Sequence, residues 1–218
     1  MNKAALLFLS SLVGIVLCSA AAPFAETLKP IQLPKPQLEA GKPLMQVLRD
    51  RRSSRSFSSA QLPPQVLSNL LWAAFGINRP DSGHRTAPSA RNWQEIDIYV
   101  ATADGLYLYD AKGHQLQTVL SDDIRHLTGQ QSFVKEAPVN LVYVADFSRT
   151  TGGSVEDREM YSAAGTGFIS ENVYLYCASE GLATVVRGSI DRHALAKAMK
   201  LRPDQKIILA QTIGYPKK

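Results

Sequence analysis

The chain has 218 residues, 45% of them hydrophobic and 20% charged, and carries a formal net charge of +5. This is the composition of an ordinary soluble globular protein and forces neither disorder nor a membrane-embedded class. Apart from one knot at Arg49, Arg51, Arg52 and Arg55, the basic residues are scattered; they provide no groove for a nucleic-acid backbone, and no nucleic-acid partner is expected.

Residues 1–25 read as a cleavable signal peptide. Lys3 precedes an apolar run from Ala4 to Cys18, and Ser19, Ala20, Ala21 and Ala22 follow. The run is short and interrupted by Ser10, Ser11 and Gly14, so no stable transmembrane span is expected after cleavage. The expected location is the periplasm. An uncleaved anchor and a lipoprotein acylated on Cys18 are the alternatives, the second weakened by Leu17 before it. Without Cys18, Cys177 stands alone, and no internal disulfide can form.

Residues 26–43 contain TLKP, LPKP and GKP, a proline-rich stretch that reads as an extended linker or dimer-embracing arm. A single domain is expected over 44–218. Leu44, Val47 and Leu48 predict a short amphipathic helix that delivers the arginine knot to a loop. Leu62-Pro63-Pro64 opens a second helix, with Val66, Leu67, Leu70, Leu71 and Ala74 as its buried stripe and Gly76 as its stop. Asn78 to Asn92 is polar and irregular, either a functional loop or a mobile one.

Alternation at Ile96, Ile98 and Val100 and the segment Leu106 to Tyr109 between two turns predict a meander. Val139 to Ala145 is apolar on both faces, which fits a central strand. A long helix over Glu159 to Glu180 ends at Gly181; a strand Ala183 to Val186, a helix from Asp191 to Met199 and a last strand Ile207 to Ile213 follow. The alternation is too imperfect for a doubly wound parallel sheet. The expected class is α+β, with a mixed, mainly antiparallel sheet flanked by helices and one long central helix.

The strongest local signal is Arg51-Arg52-Ser53-Ser54-Arg55-Ser56-Phe57. Guanidinium forks and short hydroxyls are the chemistry of phosphate recognition, whereas a solvated basic patch is the plainer reading of the heptad alone. Four further segments add to it: Pro88-Ser89-Ala90-Arg91-Asn92-Trp93-Gln94, Gln130-Gln131-Ser132-Phe133-Val134, Val186-Arg187-Gly188-Ser189 and Ile213-Gly214-Tyr215-Pro216-Lys217. In this order they resemble the signature segments of the nitroreductase family.

That resemblance implies a homodimer with FMN at the subunit interface. Arg51 and Ser53 would belong to the phosphate and ribityl end, and Arg55 to the pyrimidine edge, where a cation favours negative charge, with Arg52 among the cofactor-binding residues. Pro88, Ser89, Ala90 and Asn92 would cross from the partner copy, and Gln131 or its neighbour Gln130 would meet the isoalloxazine. Backbone of Arg187 and Gly188 would pass beside flavin N5, and Lys217 would return to the phosphate. Two departures stand out. Glu171 occupies a position where Gln is common, and the hairpin at Tyr107 to Gln117 is more typical of the thiazoline-oxidase-like dehydrogenase branch.

The implied chemistry is ping-pong transfer through the flavin to or from a small organic substrate, with no residue assigned as catalytic acid, base or nucleophile. NAD(P)H is the usual donor in the family but is scarce outside the cytoplasm. The alternatives are a thiazoline-oxidase-like dehydrogenase and a non-enzymatic flavin-binding protein. Gly165-Thr166-Gly167 lies within a helix and reads as close packing rather than a dinucleotide loop. The four histidines lack metal-ligand spacing, and no serine-hydrolase elbow is present. His84 lies near the expected flavin mouth, with an exposed loop residue as the plainer reading.

Overall fold

The computed structural model describes residues 29–217, and the expected signal segment at 1–25 lies outside them. The first described elements are strand β1 (Ile31–Gln32) and helices α1 (Leu44–Asp50) and α2 (Pro64–Phe75). Pro64 at the start of α2 is tolerated because the first helical N–H groups have no intrahelical acceptor. Next comes a small antiparallel ribbon of β2 (Ile77–Arg79) and β3 (His84–Arg85). The segment expected to be irregular from Asn78 therefore begins with paired backbone, turning through Gly83 at a φ of +66°.

The main sheet continues with β4 (Ile96–Thr102), β5 (Gly105–Asp110), β6 (Gln115–Leu120) and β7 (Val139–Asp146). Helix α3 (Val155–Glu180), β8 (Ala183–Arg187), α4 (Arg192–Ala198) and β9 (Gln205–Gly214) complete the chain. The strand order is β1-β6-β5-β4-β7-β9-β8, and each neighbouring pair runs antiparallel.

All positions of β7 are buried, which is what an apolar run with no polar face dictates. The twofold repeat of a strand sends its residues to two cores. Val139, Leu141, Tyr143 and Ala145 join Leu70, Leu71 and Phe75 of α2 and Ile169, Val173 and Cys177 of α3. Val142 and Val144 join Leu195 and Met199 beneath α4. The sheet is thus covered on both faces.

Helix α3 begins at Val155, four residues earlier than its apolar pattern suggests. Ser154 and Asp157 form a reciprocal capping box that draws the polar segment Val155 to Arg158 into the first turn. At the other end, Gly181 takes the left-handed conformation that stops the helix. Ile169, Val173 and Cys177 face inward, while Met160, Tyr161 and Phe168 are exposed. No helix among the described residues is long and apolar enough to cross a membrane.

The proline-rich segment lies along its own chain. Ile31 pairs with Leu116, and the Leu33 N–H donates to the His114 carbonyl at 3.2 Å. Ser68 of α2 donates its hydroxyl to the Pro34 carbonyl at 2.6 Å, and His114 Nε2 lies 2.7 Å from the same hydroxyl. His114 Nδ1 is 3.0 Å from Tyr109 Oη, so one imidazole joins the arm, α2 and β5. Burial lowers the His114 pKa from its ordinary 6.5, more than its contact with the Pro34 carbonyl raises it.

Candidate functional site

Helix α1 ends at Arg51, whose N–H donates to the Val47 carbonyl at 2.8 Å. Cations are favoured at this end, where free carbonyls carry the negative pole of the helix. From Arg51 the chain is fixed mainly through its backbone. Ser54 N–H donates to Thr184 of β8 at 2.9 Å, Ser58 N–H to Tyr215 at 2.8 Å, and Lys217 N–H to Ser56 at 3.3 Å. Phe57, only 2% exposed, pairs with Pro216 and packs against Phe133.

Tyr174 of α3 organises the start of this segment. Its hydroxyl is 2.9 Å from Ser53 Oγ and accepts the Val186 N–H at 2.9 Å. Its ring lies 5.2 Å from the Arg51 guanidinium carbon, and Arg51 Nε is 3.9 Å from Glu171 Oε1. Glu171, one of the two departures from the family pattern, therefore faces the knot. Arg52, Arg55 and Lys217 are exposed, and among the described residues their side chains have no hydrogen-bond or ion-pair partner. A polar cleft of about 380 Å³ is lined by Arg51, Arg52, Ser54, Tyr174 and Thr184. A wider one of about 940 Å³, sharing Gly181 and Pro216 with it, holds Lys135 and Lys217.

Gln130 and Gln131 meet the segment after β8. Gln130 N–H donates to the Ser189 carbonyl at 3.2 Å, and the Ser189 hydroxyl donates to Gln130 Oε1 at 2.8 Å. The acceptor of Gln130 is thus engaged, whereas Gln131 Oε1 is buried without a partner. Arg187 turns its side chain into the protein, so Gly188 and Ser189 are what this turn exposes. The structure brings together residues 51–55, 187–188 and 217 through Tyr174, β8 and the terminal tail, with residues 130–131 on the adjoining turn.

Pro88, Ser89, Ala90 and Asn92 lie elsewhere, against the first half of α3. Ser89 Oγ donates to Glu95 Oε2 at 3.0 Å and accepts the Gln94 N–H at 2.8 Å, and Ser162 Oγ donates to Glu95 Oε1 at 3.1 Å. The side chain of Gln94 ties down Gly83, Asn92 and Arg85. Three non-glycine residues here, Arg91, Asn92 and Gln94, have φ of 52°, 54° and 49°. Ser162 and Tyr174 are about 18 Å apart along the helix, so within one chain this loop does not meet the knot. His84 Nδ1 contacts Ser82 Oγ at 2.6 Å on β3.

Sequence reasoning missed Tyr174, Thr184 and Glu95. A tyrosine on a buried helix face needs a partner for its hydroxyl, and that requirement was the available signal for Tyr174. Glu95, 1% exposed between Gln94 and the apolar start of β4, offered a comparable one, because a carboxylate there must find donors. Thr184 contributes a backbone carbonyl and left no signal.

The family description Nitroreductase family matches residues 48–215. A nitroreductase-designated protein of Methanocaldococcus jannaschii is 30% identical over 182 residues, covering 79% of this chain and 91% of its own. The crystal structure of a nitroreductase-designated protein from Ralstonia eutropha JMP134 is similar with a TM-score of 0.84 and 46% identity, over 89% of this chain and 93% of that one. Another, from Desulfovibrio desulfuricans and in complex with FMN, has a TM-score of 0.60 and 22% identity, over 81% of this chain and 88% of that one.

Proposed function

The chain belongs to the nitroreductase family, and from that premise we propose that it is an exported, FMN-dependent oxidoreductase acting as a homodimer on a small organic substrate. The observation that carries this reading is the set of uncommitted donors on the 51–55 segment and the adjoining tail, with Arg52 in one cleft and Lys217 in the neighbouring one that shares Gly181 and Pro216 with it. Arg52, Arg55 and Lys217 keep their charges free while the backbone beneath them is fixed, an arrangement suited to a phosphate dianion. Gln131 Oε1, buried on the turn whose neighbour Gln130 meets Ser189, is a second polar atom without a partner among the described residues.

Bound FMN supplies two-electron and one-electron chemistry, and the chain supplies binding, orientation and electrostatics. Arg51, Arg52 and Lys217 would hold the phosphate, with Ser53 oriented by Tyr174 toward the ribityl end. Arg55 would hold positive charge at the pyrimidine edge. Gln131 and the backbone of Gly188 would face the ring. The loop with Pro88, Ser89, Ala90 and Asn92 would come from the second copy, and because Ser89 Oγ is already engaged by Glu95 and Gln94, that loop would offer backbone and Asn92. The exposed Met160, Tyr161 and Phe168 on α3 favour a second copy packing there.

A thiazoline-oxidase-like dehydrogenase is the second reading, favoured by the ordered hairpin of β5 and β6. The visible spectrum of the purified mature protein is the first test, and a yellow protein with a flavin spectrum is expected. A colourless preparation that cannot be loaded with FMN defeats the proposal. Reduction of the flavin by NAD(P)H with turnover of nitroaromatics favours the first reading. Reduction by a small oxidisable substrate, with indifference to nitroaromatics, favours the second.

A further inference from the structure

An arginine removed from water normally lies against a carboxylate, because an uncompensated buried charge is costly. Arg187 is 4% exposed and has no such partner. Its Nε donates to Thr212 Oγ1 at 2.9 Å, Nη1 to the Thr128 carbonyl at 2.7 Å and Nη2 to Asn140 Oδ1 at 3.0 Å. All three acceptors are neutral, and none of the ion pairs among the described residues includes Arg187.

The surroundings are built for this cation. Asn140 donates Nδ2 to the Val134 carbonyl at 2.8 Å, which fixes its oxygen toward the guanidinium. Gly129 has no side chain where a Cβ would overlap Nη1. Burial pushes the Arg187 pKa down to about 10, which leaves it protonated at neutral pH. A purely mechanical stitch between β7, β8, β9 and the 128–131 turn needs no charge, since neutral groups of similar volume usually serve as well. The cation instead belongs to the residue before exposed Gly188 and is tied at Thr128 and Gly129 to the turn that carries Gln131.

We propose that Arg187 is a positioning residue whose uncompensated cation, behind the wall formed by Gly188 and Gln131, biases bound flavin toward its reduced, anionic state. The proposal rests on the FMN reading above and adds to it a second charge, distinct from the exposed Arg55. Water screens a buried charge poorly, so its field extends to a ring on the other side of the backbone. The guanidinium also ties the 128–131 turn to β8 and β9, because its donors reach Thr128 and Thr212.

The test compares flavin-loaded parent protein with Arg187→Lys, Arg187→Met and Asn140→Asp, reading the midpoint potential by spectroelectrochemistry and the affinity for oxidised FMN by fluorescence. Asn140→Asp keeps the arginine and sets a counter-charge beside it. The Met and Asp variants are expected to lose about tenfold in preference for reduced over oxidised FMN, which is about 30 mV for a two-electron couple. The Lys variant should stay near the parent.

Met and Asp variants that hold FMN at the parental potential overturn the proposal, as does a Lys variant shifted as far as Met. If Arg187→Met does not fold, Asn140→Asp decides. Sulfite adds at flavin N5 and binds more tightly where negative charge on the ring is stabilised, which gives a readout on the parent alone. Tighter sulfite binding than by free FMN is expected, and weaker binding refutes the bias. A parent protein that takes up no FMN sinks the functional reading itself, a different failure from an absent potential shift.

Discussion

The segment 51–58 and the loop 88–95 are both mostly polar, yet they use their polar groups in opposite ways. In the first, backbone N–H groups of Ser54 and Ser58 donate to Thr184 and Tyr215 and the Ser56 carbonyl accepts the Lys217 N–H, while the cationic side chains of Arg52 and Arg55 stay uncommitted. In the second, the side chains of Ser89 and Glu95 are engaged with each other and Glu95 with Ser162 of α3, the Gln94 side chain is held by Gly83, Arg85 and Asn92, and the backbone of Arg91, Asn92 and Gln94 is held in the left-handed region. Conformations of that kind cost on the order of 1 kcal/mol each and persist only when their surroundings over-determine them. One region reserves charge for a ligand, and the other spends its side chains to present a shape.

The largest expected effect that tests this contrast is at Glu95. Replacing it with Ala leaves the hydroxyls of Ser89 and Ser162 without their acceptor inside the protein and should cost about 3 kcal/mol. The unfolding midpoint should fall by about 6–12 °C in calorimetry. An unchanged midpoint would mean that the loop keeps its shape without those contacts.

Arg51→Ala should do the reverse. FMN affinity is expected to weaken by about 1.5–3 kcal/mol in a fluorescence titration, with the unfolding midpoint nearly unmoved. A large loss of stability with full flavin affinity would exchange the roles assigned to the two regions.

Tyr174→Phe tests the join between α3 and the knot. It removes the acceptor of the Val186 N–H and the partner of Ser53, and about 1 kcal/mol should be lost from folding, with a small loss in FMN affinity. If affinity fell as far as with Arg51→Ala, Tyr174 would count as a direct ligand rather than a support.

The smallest effect belongs to a control outside both regions. Burial lowers the His114 pKa below 6.5, so the folded state favours the neutral ring. Its contribution is present above 6.5 and is lost as pH falls from there toward the lower folded value. His114→Asn should flatten the stability profile across that window, as followed by denaturant titration, without altering flavin affinity.

The fold was legible wherever a local pattern dictates burial. The two-faced run of β7 and the stripe of α2 announced their places, because strand and helix periods alone decide which residues meet a core. β1 was not legible, since two residues carry no period, and the early start of α3 depends on a cap whose residues are polar. The arginine knot was legible because its residues are adjacent in sequence. The Ser53–Tyr174 contact spans 121 residues, and no local rule connects them. The inward turn of Arg187 was half readable. Strand parity places it with Ala183 and Val185, both buried, but the pattern alone could not name the three neutral acceptors.

The seven-stranded order puts β1 at one border of the sheet and β8, beside the basic cleft, at the other. Six inter-strand spacings separate them, about 29 Å. Lys29, the first described residue, thus lies by the border opposite the cleft. Immobilising the protein on a resin or sensor chip through that end should leave the mouth of the cleft open to ligands arriving from solution.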